Sequence, residues 1–334
     1  MKGEKMEKPD ALKVIVLDVD GSIIQQKRLL AQYQPAVIKL QNKSDLLRYW
    51  CRMEEMERLR QLLISSVGAG KRKVIFYGSG TYHHLAWLGI SLIDEPVTVI
   101  HFDNHTDFVR DFLPGYIHCG SWVTRVLTLP NVRKVIQIGV EADLGFGRTG
   151  HSLPMGWITH KMNLLHNRRV EIYPNSTRRS VLLGRICATL PCVALEPDLL
   201  TTEARWKNML DHGGIKDTLE RVLSTLPTET VYLTIDKDVL NEKYCFSNCT
   251  GFHGTLALDD LLMAISLIGK RKSILGVDVC GDGSYFATRG YPLKHLFARL
   301  TDKAPPSAFS SPDTIRRNED ANLKIMERLI EAQA

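Results

Sequence analysis

The chain has 334 residues, of which 44% are hydrophobic and 24% charged, and its formal net charge is +6. This composition is that of a globular protein and excludes a disordered or fibrous chain. The lysines and arginines are scattered and accompany no nucleic-acid-binding motif, and no apolar run approaches the ~18 residues that cross a bilayer, so we expect neither a nucleic-acid nor a membrane partner.

Short apolar, β-branched runs recur along the chain, and each is typical of a strand buried on both faces of a parallel sheet. The predicted strands cover residues 14–17, 73–77, 97–102, 134–138, 231–235 and 274–277. Helical periodicity predicts helices over residues 48–65, 215–226, 259–268 and 318–332. Asp259 is the predicted N-cap of the third helix.

Strands that alternate with helices predict an α/β protein, a three-layer α/β/α sandwich with a mainly parallel central sheet. We expect a single domain over residues 1–334, with residues 303–317 as a loop before the C-terminal helix. Residues 145–190 contain glycines, prolines and arginine clusters, and no element is predicted there with the same clarity.

The cysteines indicate a reducing compartment. Seven cysteines occur without regular spacing, and the N-terminal segment lacks the apolar region of a signal peptide. A cytoplasmic location is therefore expected. Cys245 and Cys249 are not matched by a second pair, so the spacing does not favour a structural zinc site.

Acidic and imidazole side chains follow three of the predicted strands, at the edge of a parallel sheet where ligands bind. They are His83, Asp103, His105, Asp107, Asp236 and Asp238. Carboxylates gathered at one edge repel one another and raise one another's pKa values, and two divalent cations would remove that repulsion. Mixed oxygen and nitrogen donors suit Mn²⁺, with Ni²⁺, Co²⁺ or Fe²⁺ as alternatives.

The same segments resemble the motifs of a known family. Residues 99–107, VIHFDNHTD, resemble an Asp-Ala-His-x-Asp motif, and residues 234–240, TIDKDVL, resemble Ser-x-Asp-x-Asp-x-Leu. His83 occupies the place of the histidine of Gly-Gly-Asp-His-Ser, and residues 276–279, GVDV, resemble Glu-Val-Asn-Pro. Over residues 73–283 the chain thus resembles the arginase/agmatinase/formiminoglutamase (ureohydrolase) family, as a divergent member with an arginase-like fold.

The resemblance implies two metal ions per chain with shared ligands. The first ion would be held by His83, Asp103, Asp107 and Asp236. The second would be held by His105, Asp103, Asp236 and Asp238, so that Asp103 and Asp236 bridge the ions. A hydroxide between the ions would be formed near neutral pH, because the cations depress the pKa of water.

The resemblance also implies catalytic roles for Asp107, His118 and Asp278. Asp107 would steer the hydroxide and protonate the departing nitrogen, and His118 would exchange protons with solvent. Asp278 would accept hydrogen bonds from a planar cationic substrate. The expected activity is hydrolysis of the C–N bond of a small guanidino or amidino compound, a linear amidine. The expected assembly is a homo-oligomer.

The chain departs from the arginases around the second motif. Asp107 is followed by Phe108, Val109 and Arg110, a largely apolar segment, where the arginases place polar groups that hold the amino-acid end of their substrate. Asp278 stands where the family usually has a longer glutamate. We therefore expect a substrate other than L-arginine and not a housekeeping arginase.

Two alternatives share the fold. The pair His83-His84 also resembles the histidine pair of metal-dependent deacetylases, which hold one zinc ion. The additional carboxylates Asp107 and Asp238 favour two metals instead. A noncatalytic protein with the arginase fold is the second alternative, although none of the expected ligands is missing.

Two other short motifs resemble those of a phosphatase and of a dinucleotide-binding fold, and the sequence supports them less well. Asp18-x-Asp20-Gly21 resembles the nucleophile motif of haloacid dehalogenase-type phosphatases, but Asp-Gly after a strand is a common turn, which we favour. A dinucleotide fingerprint beginning at Gly78 fails, because its third glycine would fall on His83. His101 has no partner pattern and is interpreted as a surface or core residue.

Overall fold

Eight parallel strands form the main sheet of the computed structural model, which describes residues 12–68, 72–108, 114–141, 169–175, 208–247, 253–285, 290–301 and 306–333. The strands of this sheet are β1 (Lys13–Asp18), β2 (Ala36–Lys39), β4 (Lys73–Phe76), β5 (Val97–Phe102), β7 (Val132–Ile138), β8 (Val170–Tyr173), β9 (Thr230–Asp236) and β10 (Ser273–Cys280). Two further strands, β3 (Trp50–Arg52) and β6 (Tyr116–His118), form an antiparallel pair.

The strand order in the main sheet is β2-β1-β4-β10-β9-β5-β7-β8, and every neighbouring pair is parallel. The mainly parallel sheet is thus confirmed. Phe102 pairs with Ile235 and Cys280 pairs with Asp236, so the carboxyl ends of β5, β9 and β10 lie level. The side chains that follow these strands consequently meet at one edge.

Helices cover both faces of the sheet. They are α1 (Lys27–Tyr33), α2 (Ser44–Leu47), α3 (Met53–Val67), α4 (Ala86–Ile90), α5 (Trp122–Val126), α6 (Gly214–Ser224), α7 (Leu258–Arg271), α8 (Pro292–Thr301), α9 (Pro306–Phe309) and α10 (Pro312–Gln333). Neighbouring residues of β5 serve opposite faces, as the alternation of a strand requires. Val99 packs in one apolar cluster, with helices α3, α4 and α5, and Ile100 packs in the other, with α6, α7 and α10. The three-layer sandwich is therefore confirmed.

The apolar stripe of α7 shows why these helices form where they do. Leu261, Ile265 and Ile268 recur at helical spacing and are buried against the sheet. Acidic residues occupy the first turn and basic residues the last, which complements the helix dipole. The expected N-cap is wrong, because the helix begins at Leu258 with Ala257 as its cap, and Asp259 lies inside the first turn.

Two other boundaries differ from the prediction. The helix predicted from residue 48 begins at Met53, because Trp50–Arg52 form the strand that pairs with β6. The loop predicted over residues 303–317 is wrong in its described part, since Pro306–Phe309 are helical and α10 already begins at Pro312. Proline fits the first turn of a helix, where its missing N–H has no intrahelical partner.

The described helices were also compared with the span of a bilayer. Among the described residues, no helix has the length and apolarity needed to cross a membrane.

Candidate metal centre

The expected metal ligands lie at the carboxyl edge of β4, β5 and β9. His83 is carried by a 3₁₀ turn, Gly80–Leu85, that follows β4, while Asp103 directly follows β5 and Asp236 ends β9. His83, Asp103 and Asp236 are almost completely buried, with 1%, 1% and 3% of their surface exposed. Buried charges require partners or metal ions, so the edge is a strong candidate for a cation site.

A first cluster of donor atoms surrounds the ring of His83. Its Nδ1 atom lies 2.9 Å from Asp103 Oδ2, 2.9 Å from Asp107 Oδ2 and 3.7 Å from Asp236 Oδ2. Within the described part of the chain this Nδ1 makes no hydrogen bond. The imidazole nitrogen and the carboxylate oxygens therefore converge, as the ligands of one cation do.

A second cluster surrounds the ring of His105. Its Nδ1 atom lies 3.0 Å from Asp238 Oδ2 and 3.4 Å from Asp103 Oδ1. Asp103 thus belongs to both clusters and turns a different oxygen to each, Oδ2 toward His83 and Oδ1 toward His105. A carboxylate in this position can bridge two cations.

Backbone amides fix the orientation of these carboxylates. The N–H of Asn104 donates to Asp238 Oδ1 at 3.0 Å, and the N–H of Asp238 donates to Asp236 Oδ1 at 3.0 Å. The N–H of His105 donates to Asp103 Oδ1 at 2.6 Å. Because the donors belong to the loops that carry the ligands, the loops and the carboxylates hold each other in place.

The pKa values of the side chains in the centre are shifted because its carboxylates are crowded together. Burial, together with the charges of Asp238 and Asp103, raises the pKa of Asp236 well above its usual value. Burial alone would lower the pKa of His83, but the carboxylates of Asp103 and Asp107 outweigh it and raise that pKa well above its usual value. Without a metal ion, His83 and Asp236 therefore bind protons more tightly than the same groups in water. Divalent cations would take the place of these protons.

Two glycines leave room for the carboxylate of Asp236. A Cβ atom added at Gly80 would lie 2.2 Å from Asp236 Oδ2, and one added at Gly281 would lie 2.4 Å from Asp236 Oδ1. Gly281 also has a φ of +90°, which L side chains rarely adopt. The backbone at Gly80 and at Gly281 can therefore lie close to the Asp236 carboxylate only because these two residues have no side chain.

Thr234 and Asp278 support the ring of His83 from behind. Thr234 Oγ1 lies 2.9 Å from His83 Nε2, and it donates to Asp278 Oδ1 at 2.8 Å. Tyr77 also donates its hydroxyl to Asp278 Oδ1, at 2.6 Å. If Thr234 donates to Asp278, His83 Nε2 must donate to Thr234. In the neutral ring, which metal binding requires, Nδ1 then carries no proton and can bind metal.

The structure places Asp278 beside Thr234, and its expected substrate-facing role stays a prediction. Asp278 lies inside β10, two residues before the strand ends, and only 1% of it is exposed. Its Oδ1 atom accepts hydrogen bonds from Tyr77 and Thr234. The sequence motif places a carboxylate near this strand end, but the alternation of the strand turns Asp278 into the interior, beneath the metal ligands.

His101 and Trp122 also contact the carboxylates of the first cluster. Neither residue was identified from the sequence as part of the site. His101 Nε2 lies 2.8 Å from Asp103 Oδ2, and Trp122 Nε1 donates to Asp107 Oδ2 at 2.7 Å. The rings of His83, His101 and Trp122 stand about 5 Å apart, in mutual contact. The spacing of His101 and Asp103, two residues apart at the end of a strand, was the signal that could have identified the histidine.

His118 and His84 lie on the side of the centre nearest the β3–β6 pair. His118 ends β6, is 7% exposed, and its Nδ1 accepts a hydrogen bond from the N–H of Gly120 at 3.1 Å. Burial and the positive charges of Lys294 and His118 lower the pKa of His84 well below its usual value. His84 is absent from the potential ligand groups found among the described residues, so only His83 of the tandem pair reaches the carboxylates.

The donors at this edge fit divalent cations. Potential ligand groups found in the described residues include His83 with His101, Asp103 and Asp107, and Asp103 with His105 and Asp238. Carboxylate oxygens and imidazole nitrogens suit Mn²⁺ and the neighbouring transition metals. The crowding of carboxylates around Nδ1 of His83 and the raised pKa of Asp236 are the features that bound cations would relieve.

The Asp18-x-Asp20 motif forms a turn that ties three strand ends together. Asp20 Oδ1 accepts hydrogen bonds from the N–H and the hydroxyl of Ser22, at 3.0 and 2.7 Å. Asp20 Oδ2 accepts from the N–H of Ser79 at 3.0 Å and from Ser284 Oγ at 2.6 Å. Asp20 therefore joins the loops after β1, β4 and β10, which supports the expected turn.

Solved structures share this architecture. Formimidoylglutamase from Bacillus subtilis superimposes with a TM-score of 0.55 at 15% sequence identity, covering 97% of this chain and 89% of that one. Arginase from Bacillus subtilis superimposes with a TM-score of 0.52 at 12% identity, covering 96% of this chain and 98% of that one. At these identities the likeness establishes the fold alone, and the chain is an α/β protein with the arginase-like fold. The expected resemblance is confirmed at this level.

Sequence comparison adds one curated relative. An uncharacterised protein of Thermotoga maritima is 25% identical over 268 residues, which cover 80% of this chain and 78% of that protein. No model of a known protein family matches the chain. The fold and the ligand geometry, rather than a family assignment, are therefore the basis for proposing an activity.

Proposed function

We propose that the chain is a divergent ureohydrolase-type enzyme, a hydrolase that uses two divalent metal ions to cleave the C–N bond of a small guanidino or amidino compound. The observation that carries this proposal is the position of Asp103, whose two oxygens face two separate groups of ligands. The arginase-like fold supports it, since the solved structures that share the fold include a formimidoylglutamase and an arginase.

In this proposal the first ion is held by His83, Asp103, Asp107 and Asp236, and the second by Asp103, His105, Asp236 and Asp238. Mn²⁺ is the proposed metal, with Ni²⁺, Co²⁺ and Fe²⁺ as alternatives. When bound, two such cations supply an attacking nucleophile near neutral pH by lowering the pKa of water.

Asp107 is the proposed proton carrier at the reacting atoms. Its Oδ2 atom lies 2.9 Å from His83 Nδ1, within the first cluster, where a carboxyl group could return a proton to a departing nitrogen. Trp122 holds Asp107 Oδ2 in place at 2.7 Å. His118, buried at the end of β6, is the proposed group that passes protons to solvent.

The negative charge of the centre favours a cationic substrate such as an amidinium or guanidinium group. L-arginine is not the proposed substrate. Phe108, which follows Asp107, is 1% exposed and packs in the apolar core, so it presents no polar group to an amino-acid moiety. Asp278, which the resemblance places on the substrate side, contacts the Thr234 hydroxyl that supports His83.

The proposal is tested by supplying the purified protein with Mn²⁺ or Ni²⁺ and measuring urea or ammonia release from a panel of guanidino and amidino compounds. We expect turnover that is lost in Asp103→Asn, together with metal binding. Asp94→Asn is the matched control, since Asp94 is exposed and lies before β5. Release of acetate from acetylated amines with one metal per chain, and no amidine hydrolysis, would contradict the proposal in favour of the deacetylase alternative.

A further inference from the structure

Cys280 lies directly beside the first ligand cluster. It is the last residue of β10, it is fully buried, and it pairs in register with Asp236 of β9. Its Sγ atom and the ligand atoms of His83 and Asp236 all lie within 4.8 Å of one another. These three side chains form a third group able to hold a metal ion, and it shares two members with the first cluster.

We propose that the thiol of Cys280 is a ligand of the metal ion held by His83 and Asp236. This inference rests on the proposed function, since it concerns the composition of the same centre. On binding, the thiol gives its proton to solvent as the sulfur–metal bond forms. The centre is thereby a mixed nitrogen, oxygen and sulfur site rather than one of carboxylates and imidazoles alone.

The surrounding backbone favours this role. Gly281 turns the chain away immediately after Cys280, with a φ of +90°, and Gly80 approaches Asp236 from the other side. Neither glycine places a side chain between the sulfur and the carboxylate. A cation held between the ligand atoms of Asp236 and His83 consequently has the sulfur of Cys280 within reach, on the β10 side.

Other cysteines of the described chain are less suited to this role. Cys245 already donates its thiol to the carbonyl of Lys237, at 2.9 Å. Cys119 directly follows β6 and is partly exposed. Cys119 does not belong to a ligand group found among the described residues, so it serves as the control thiol.

A sulfur ligand changes which metal the centre prefers. Thiolates favour Zn²⁺, Fe²⁺ and Co²⁺ over Mn²⁺, which prefers oxygen. If the thiolate of Cys280 binds the metal, the wild-type chain should prefer Zn²⁺ or Co²⁺ over Mn²⁺. This preference should be weaker in Cys280→Ser. In competition between Co²⁺ and Mn²⁺, we expect the preference for Co²⁺ to fall by at least about tenfold in Cys280→Ser, the size of effect seen when a metal-site partner is lost.

The direct test is the absorption spectrum of the Co²⁺-loaded full-length chain. We expect visible ligand-field bands from bound Co²⁺ and, in addition, a near-ultraviolet charge-transfer band from sulfur to cobalt. Cys280→Ser should keep the visible bands and lose the near-ultraviolet band, while Cys119→Ser should keep both. X-ray absorption of the Zn²⁺-loaded wild-type chain should show a sulfur neighbour at about 2.3 Å.

The outcomes separate this inference from the proposed function. Visible bands without a charge-transfer band in the wild-type chain, or a charge-transfer band that survives in Cys280→Ser, would overturn the sulfur ligand and leave the metal centre intact. The absence of any visible Co²⁺ band would overturn both. The wild-type spectrum alone decides the first point, so the test does not depend on the folding of a variant.

Discussion

At the scale of single residues, the candidate centre is organised around Asp103 and the ring of His83. Asp103 divides its oxygens between two histidines, and His83 is held from behind by Thr234. Metal-binding histidines commonly depend on the partner of their second nitrogen, because that partner fixes the ring and its tautomer. Thr234 is therefore expected to matter for metal affinity although it binds no metal.

Replacement of Thr234 tests this support. Thr234→Val removes the oxygen that lies 2.9 Å from His83 Nε2, and we expect Mn²⁺ affinity to fall by roughly 10- to 100-fold. Thr234→Ser keeps the hydroxyl and should bind Mn²⁺ nearly as the wild-type chain does. Calorimetric titration measures both, and equal affinity in the valine variant would show that the ring needs no such partner.

Gly281 gives a second test at this scale. Gly281→Ala places a Cβ atom 2.4 Å from Asp236 Oδ1 and requires a positive φ, so we expect a loss of stability above the ~1–3 kcal/mol of backbone strain and weaker metal binding. Gly68→Ala is the control, since Gly68 has a φ of +79° with no atom within 4 Å of the added Cβ. Urea unfolding and Mn²⁺ titration compare the two. Indistinguishable results would mean that contact with Asp236 is unimportant.

Sequence analysis could identify the ligand residues that directly follow or end a predicted strand. His83, Asp103 and Asp236 follow or end buried strands, and the motifs name them. The contacts of Asp278 with Tyr77 and Thr234 could not be predicted, because a motif does not state which face of a strand a side chain occupies. Trp122 was missed because its contact with Asp107 depends on how α5 packs, which no local pattern records.

At the scale of secondary structure, a buried ion pair joins the metal-binding turn to the rest of the fold. Lys237 stands between Asp236 and Asp238, and its Nζ lies 2.7 Å from Asp282 Oδ1, with both side chains no more than 1% exposed. Asp282 also accepts from Gln26 Nε2 at 2.7 Å. The turn after β9 is thereby fixed to the loop after β10 and to the segment before α1.

The variant Lys237→Met leaves Asp282 without its buried cation. Loss of one partner of a buried ion pair typically destabilises a protein by about 3–5 kcal/mol, and we expect an effect of this size in urea unfolding of the metal-free chain. Asp313→Asn is the control, because Asp313 is 57% exposed and its pairs with Arg316 and Arg317 should contribute little to stability. Similar losses in the two variants would contradict the importance of the buried pair.

The sheet was predictable where its strands are buried on both faces. Every residue of β5 is buried, and its apolar run identified it. The edge strand β2 (Ala36–Lys39) was missed because its residues alternate between half-buried and exposed positions. The short strands β3 and β6 were missed because only their mutual pairing makes them strands.

At the scale of the whole molecule, the metal centre joins segments that are far apart in the chain. His83 follows β4, while Asp236 ends β9, and the sheet brings them together. Ions bound only by the folded chain stabilise it, by about 2.7 kcal/mol when their concentration is 100 times the dissociation constant. We therefore expect a chelator to lower the melting temperature and Mn²⁺ to restore it, as differential scanning calorimetry would measure. Identical melting with and without Mn²⁺ would indicate that the folded chain does not bind it.

The measurement that tests the dinuclear centre most directly is the number of metal ions per chain, by elemental analysis of protein purified without chelators or a histidine tag and dialysed against Mn²⁺. The two ligand clusters that share Asp103 predict about two ions per chain. Asp103→Asn should lose both ions, while Asp94→Asn should retain them. A wild-type chain that binds no metal, or a single ion that Asp103→Asn leaves in place, would contradict the account.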